Sequence, residues 1–191
     1  KENIEEGEKI SLEEWDDVHL AAQTIHRRGN SLVHFVNEFR FFAKKPQPQL
    51  KNIKIQDIFQ HVATLLKNDL DEFQIHFPIK MPPSSFYITA DSVMIEQVLI
   101  NLIKNGIQAL GNKEEGKKSI WLHAAHNEQN NPIIVVKDNG PGIDNKAMER
   151  IFIPFFSTKA TGSGIGLSLS RQIMKEHKGT ITVKSTISQG A

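Results

Sequence analysis

The chain has 191 residues, 39% hydrophobic, 24% charged and 7% aromatic, which suits one globular domain of about 100–150 residues with an appendage and excludes a disordered chain. Its 23 Lys and Arg nearly balance 22 Asp and Glu, for a net charge of +1, and without a Lys/Arg-rich block nothing argues for a nucleic-acid partner. Cys is absent, which excludes disulfides, thiolate zinc sites and a Cys nucleophile.

The longest apolar runs, such as Ile133–Val136, fall far short of the about 20 residues a bilayer-spanning helix needs. Lys1-Glu2-Asn3 does not open a signal peptide. The expectation is a piece without a membrane segment in a reducing, cytoplasmic compartment.

In chain order, Trp15, Val18, Ala22, Ile25, Gly29, Leu32, Val36 and Phe39 recur with alternating gaps of three and four. That is the 3.5-residue period of a helix packing along one seam. Ser11 with Glu14 suits a capping box, and Pro46 and Pro48 stop the helix. The seam fits a helical bundle or dimer, or a helix lying on its own domain. Residues 57–68 read as a helix with Ile58, Val62 and Leu65 on one stripe. Phe73–Phe77 alternates like a half-buried strand, and Phe86-Tyr87-Ile88 is a short β-like run. A strong helix candidate spans 91–110, with Leu99, Leu102, Ile103 and Leu110 facing a sheet. Ser119–Ala125 and Pro132–Lys137 read as strands joined by a polar turn. A short helix near 145–150, a helix from about 164 to 177 and a strand at Thr180–Lys184 complete the pattern.

Three places carry chemistry. On the helix 91–110, Gln97, Asn101, Lys104, Asn105 and Gln108 form one polar stripe. A solvated face explains it, but Asn is a poor interior helix residue and Gly106 costs about 1 kcal/mol against Ala. Two Asn one turn apart set amide oxygens side by side, as a phosphate-bound Mg²⁺ requires. After the apolar strand comes Asp138-Asn139-Gly140-Pro141-Gly142-Ile143. It is either a plain turn or a strand-end carboxylate set to accept from a planar donor, such as an adenine amine. Third, Phe155-Phe156-Ser157-Thr158-Lys159 precedes Gly162-Ser163-Gly164-Ile165-Gly166-Leu167 at a helix start. This is a flexible hinge or a phosphate cradle of orphan backbone N–H groups. The Walker signature is absent, and the G-x-G-x-x-G spacing fails at Leu167.

Taken together, Asn101/Asn105, Asp138–Ile143, Ile153–Phe156 and Gly162–Leu167 resemble the four nucleotide-binding boxes of sensor histidine kinases, within the ATPase superfamily that includes DNA gyrase. The resemblance covers roughly residues 50–190, and Asn105–Leu110, Phe156–Lys159 and Gly164–Leu167 are similar to the nitrogen-regulation branch. It implies an α+β fold, a two-layer α/β sandwich with a mixed sheet under three helices and an ATP lid, preceded by a long helix. Residues 1–46 would be the second helix of a dimerisation and histidine-phosphotransfer domain, and 47–191 the ATP-binding catalytic domain. By the same resemblance Asn105 would hold Mg²⁺, with Asn101 nearby and Lys104 on the same face. Asp138 would take the adenine amine, with Gly140, Gly142 and Ile143 shaping the base pocket. Phe155 and Phe156 would anchor the lid, Thr158 would sit on it, and Lys159 would reach the γ-phosphate. Gly162, Ser163, Gly164, Ile165, Gly166 and Leu167 would present amides to the phosphates.

The function implied is a two-component phosphorelay kinase that passes the γ-phosphoryl group of ATP to a histidine, with a response regulator and a homodimer as partners of the full protein. The family acceptor is a His followed by Glu or Asp. None of His19, His26, His34, His61, His76, His123, His126 and His177 has that context, so the acceptor helix is expected upstream of Lys1, and a last strand beyond Ala191. The alternatives are a non-catalytic nucleotide-binding module, an anti-sigma-type serine kinase and a gyrase-like ATPase. An amide at Asn101, where gyrase-like relatives carry a Glu, cannot be a general base. The segment from Ser157 to Ser163, small-residue-rich and holding Gly162, is expected to be mobile.

Overall fold

The structure, a computed structural model, describes residues 12–44, 47–111, 116–159 and 162–191. Leu12–Lys44 is a single 33-residue helix, α1, about 50 Å long at 1.5 Å per residue. Along its seam Trp15, Val18, Ile25, Leu32 and Val36 are exposed, and open space surrounds Gly29. Ser11 and Pro46, and the side chains of Glu14 and Phe39, lie outside the described residues. No helix among the described residues is long and apolar enough to cross a membrane.

Strand β1 (Lys51–Lys54) runs straight into α2 (Ile55–Glu72). This helix buries Ile55, Ile58, Phe59, Val62, Leu66 and Leu70, the 3–4 spacing of one core-facing stripe. Leu65 is exposed, so the stripe passes through Leu66 instead. The helix ends in a left-handed cap. Gln74 has φ 54°, its N–H bonds Asp71 O at 3.1 Å, and the Ile75 N–H bonds Leu70 O at 2.8 Å. That pair of bonds is a Schellman motif. It replaces the strand expected at Phe73–Phe77, of which only His76 pairs, in an isolated bridge to Ser119.

β2 (Ile79–Lys80), β3 (Tyr87–Ala90), α3 (Ser92–Gly111), β4 (Ile120–His126) and β5 (Pro132–Asp138) follow. β1 pairs antiparallel with β3 in one sheet; in the other, β4 lies between parallel β2 and antiparallel β5. The mixed sheet is thus in two pieces. α4 (Asn145–Met148) is capped by Asp144, whose Oδ1 accepts from Ala147 N at 2.9 Å. α5 (Gly166–Glu176) ends as α2 does, with Lys178 at φ 57° and Gly179 N bonded to Met174 O at 2.8 Å. Thr180–Lys184 forms no ladder. A strand needs a neighbour to receive its hydrogen bonds, and the nearest pairing here is the Thr186–Gly190 bridge.

α3 is the hub. Ile95, Leu99, Ile103, Ile107 and Leu110 join α2, Ile120 and Leu122 in the main core, whereas Met94 and Val98 pack with Ile165, Leu169 and Ile173 of the α5 region. Leu102 belongs to this second cluster and not to the sheet-facing side. α1 touches the molecule along α5. Asp91, just before α3, joins three segments: its carboxylate accepts from Gln49 N at 2.9 Å and Met94 N at 3.2 Å, and its own N–H donates to His177 Nε2 at 3.0 Å.

Candidate functional site

α3 is wedged between two apolar clusters, and its second half carries a narrow strip, Asn101 to Gln108, that meets α5 at Ser170 and adjoins Asp138 at Gly106. Asn101 donates through Nδ2 to Ser170 Oγ on α5 at 2.8 Å. Its Oδ1 lies so close to Gly166 that a Cβ there would overlap it, so any larger residue at this helix start would displace the Asn101 amide. Asn105 Nδ2 reaches back to Asn101 Oδ1 at 3.5 Å. Lys159 then closes the strip: its Nζ donates to Gln108 Oε1 at 2.8 Å, Asn105 Oδ1 at 3.3 Å and the Asn105 carbonyl at 3.4 Å.

Asp138 stands at the end of β5, opposite Ile120. Its Oδ1 accepts from Gly140 N at 2.7 Å, and Gly106 of α3 backs it closely enough that an added Cβ would sit 3.6 Å from the Asp138 Cβ. Burial pushes its carboxyl above the ordinary value, against the backbone N–H groups of Gly140 and Ala191 and the Lys159 charge. Burial pulls Lys159 down, offset by the Asp138 charge. Two charges are therefore held in a partly dry place where electrostatic interactions exceed their strength in water.

The loop after Asp138 is stapled on both sides. Asn139 Oδ1 accepts from Ser119 N at 2.8 Å and its Nδ2 donates to Lys117 O at 2.7 Å. Gly142, at φ 77°, lies against the Thr186 carbonyl, and Ile143 N donates to Ser185 Oγ at 2.8 Å. In the lid, Gly164 (φ 69°) packs on the Phe155 backbone and its carbonyl accepts from Phe155 N at 2.9 Å. Phe155 itself is at φ 66° with an exposed ring, so it meets Gly164 through its backbone and not its side chain. Phe156 is half-buried under the Arg150 guanidinium, 4.4 Å away. Thr158 and Gly162 are exposed; Ala160 and Thr161 lie outside the described residues.

Of the expected residues, Asn101, Asn105, Lys159 and Gly166 are joined by one chain of contacts, while Asp138, bonded to Gly140, packs on Gly106 next to Asn105. Gly164 adjoins it through Ile165, which is buried in the α3–α5 cluster, and Ser163 Oγ accepts from Ile165 N at 3.3 Å. Leu167 is half-buried in the first turn of α5, where Ile165 provides no side-chain cap and the first amides keep their orphan character. Lys104 departs from the expectation: its ammonium turns to Asp69 of α2 at 3.6 Å, because three residues from Asn101 is about 60° off its line on a helix. Sequence reasoning assigned no role to Gln108, Ser170, Ser185 or Asn139. A Ser one turn after Gly166, buried with Ser168, Leu169 and Ile173, was the available signal. A groove of about 540 Å³ beside Lys54, His61 and Glu96 contains none of these residues.

The donor set suits a hard cation brought with phosphates: amide oxygens of Asn101 and Asn105, without soft ligands. Among the described residues no group of three or more His, Cys, Asp or Glu is arranged to hold a metal by itself.

The family model described as histidine kinase-, DNA gyrase B- and HSP90-like ATPase matches residues 90–191, more than half of the chain. The chain belongs to this ATPase family, as a catalytic ATP-binding domain of the sensor histidine kinase kind. Among its relatives is the sensor histidine kinase ZraS of Salmonella typhimurium strain LT2, 32% identical over 91% of this chain and 36% of that protein. The chain thus spans about a third of the length of that relative. The catalytic domain of the histidine kinase ThkA is 27% identical, with a TM-score of 0.57 over 68% of this chain and 83% of that one. Full-length ShkA, solved in complex with AMPPNP, shares the fold at a TM-score of 0.74 and 23% identity, over 95% of this chain and 38% of that one.

Proposed function

We propose that this chain binds ATP with Mg²⁺ between α3, the Asp138–Ile143 loop, the lid and the start of α5, and that the whole protein passes the γ-phosphoryl group to a histidine. The observation that supports it is the contact path from Lys159 through Asn105 to Asn101 and Gly166, with the Asp138 side chain packed on the adjoining Gly106 of the same helix. In this reading Asp138, steadied by Gly140 N–H, accepts from the adenine amine, and Gly140, Gly142 and Ile143 form the base side. Asn105, backed by Asn101, holds Mg²⁺, which neutralises phosphate charge. Backbone N–H groups of Gly164, Ile165, Gly166 and Leu167 receive the phosphates under a lid of Phe156, Thr158, Gly162 and Ser163, and Lys159 moves to the γ-phosphate. Lys104, paired with Asp69, acts outside this set.

Such a site works by positioning and charge neutralisation. A bond forms from the γ-phosphorus to an imidazole nitrogen as the bond to the β,γ-bridging oxygen breaks, ADP leaves and the imidazole gives up a proton. Asn101 has no basic lone pair with which to activate water, which favours this transfer over the hydrolysis of a gyrase-like ATPase. Residues 1–46 serve as the second helix of a dimerisation and phosphotransfer domain and 47–191 as the catalytic domain. The acceptor His lies in another segment of a cytoplasmic homodimeric assembly that hands the phosphoryl group to a response regulator. Titration with a fluorescent ATP analogue and Mg²⁺ tests the pocket. Asp138→Asn is expected to weaken binding at least about tenfold, the cost of misplacing a buried hydrogen-bonding group; equal binding by both proteins refutes the adenine assignment.

A further inference from the structure

Lys159 is fixed to α3 by its ammonium, and the shortest of its three bonds, 2.8 Å, goes to Gln108 Oε1. The other two go to Asn105, at 3.3 Å to Oδ1 and 3.4 Å to the carbonyl. The chain just before it is curled locally: Ser157 Oγ accepts from Lys159 N at 3.1 Å and donates to Lys159 O at 3.2 Å. Gly162 returns against Ser157 Oγ with no room for a Cβ. An ammonium and a metal cation compete for Asn105 Oδ1, since each is positive and each needs that oxygen. Gln108 is different. It lies one turn beyond Asn105 on the exposed side, outside the set of residues proposed to hold the nucleotide.

We propose that Gln108 is the resting dock of the lid lysine and that it sets how strongly the pocket prefers a nucleoside triphosphate over a diphosphate. The proposal rests on the nucleotide reading above. When a diphosphate and its cation take Asn105, Lys159 gives up the Asn105 oxygens but keeps Gln108. When a triphosphate binds, the γ-phosphate draws the ammonium off Gln108 altogether. The strength of the Lys159–Gln108 bond therefore opposes triphosphate binding and leaves diphosphate binding nearly untouched.

The test compares ATP and ADP affinities, each with Mg²⁺, by competition against a fluorescent nucleotide on the full chain. Gln108→Leu removes the acceptor at similar size and is expected to tighten ATP about threefold, the worth of one exposed charged hydrogen bond, with ADP unchanged. Gln108→Glu strengthens the dock and is expected to weaken ATP by a similar factor. In a Lys159→Met background the Gln108 substitutions are expected to have no effect. With nucleotide binding intact, an unaltered ATP-to-ADP ratio in both Gln108 variants, or a parallel shift of both nucleotides, overturns the dock. If the unsubstituted chain binds neither nucleotide, the nucleotide reading itself falls and takes the dock with it.

Discussion

Burial penalises the charges of both Asp138 and Lys159, each of which is eased by the charge of the other. For Asp138 the folded carboxyl holds its proton more tightly than the unfolded one. Folding stability therefore falls as pH rises from the ordinary carboxylate range through the raised value, since the native state binds more protons there. Asp138→Asn keeps an oxygen for the Gly140 N–H and removes that slope. Urea midpoints measured from about pH 4 to 7 are expected to decline less steeply in the variant, and near neutral pH it is expected to be the more stable protein while binding nucleotide worse. An identical pH slope in the two proteins would contradict this. At the residue scale the sequence exposed the chemistry-bearing types, because Asn within a helix and Gly at a helix start are locally unfavourable and so conspicuous. It placed Gln108 in the polar stripe but could not expose its partner, nor those of Ser170 and Ser185, which lie 51, 69 and 42 positions away. Nor could it tell that Lys104 turns to Asp69, since that depends on where α2 packs.

Among the elements, the helices were legible and several strands were not. Periodicity located α2, α3 and α5 to within a few residues, because the core-facing stripe is written into one continuous segment. β1 and β2 are four and two residues long and exist through distant partners, so no local pattern announces them. The alternation at Phe73–Phe77 was misleading for a specific reason: a left-handed cap at Gln74 turns the Ile75 N–H back onto the Leu70 carbonyl and buries Ile75 without a ladder, while Phe73 stays exposed. That cap gives a direct measurement. Gln74→Gly relieves a side chain held at positive φ and is expected to raise stability by about 0.5–1 kcal/mol in chemical denaturation; a loss would show that the Gln side chain contributes to the cap. In α1 the reverse exchange applies. Gly29 has nothing within 4 Å, so Gly29→Ala is expected to stabilise the helix of this chain by about 1 kcal/mol, read by circular dichroism on heating. If it destabilises the chain, a neighbour occupies that open side.

At the scale of the molecule, α3 links the main core to the α5 cluster and carries the pocket strip between them, while α1 presents an exposed apolar seam. The expected consequence is division of labour between pocket and acceptor. Incubated with labelled ATP and Mg²⁺, this chain alone is expected to retain no acid-labile phosphate, whereas adding a histidine-bearing helical-hairpin domain in trans is expected to label that domain. Labelled phosphate retained on the chain itself would assign an acceptor among its own histidines.

Asp91 gives the molecule a second pH response, opposite in sign to that of Asp138. Burial raises this carboxyl, but the N–H groups of Gln49, Met94 and Val93 and the nearby His177 outweigh it and hold it below the ordinary value. What it contributes is complete above the usual carboxylate range and fades as acid titrates it through the depressed one. Acidification to below the ordinary carboxylate range would thus slacken the knot where the segment at Gln49 is fastened to the start of α3 and the end of α5.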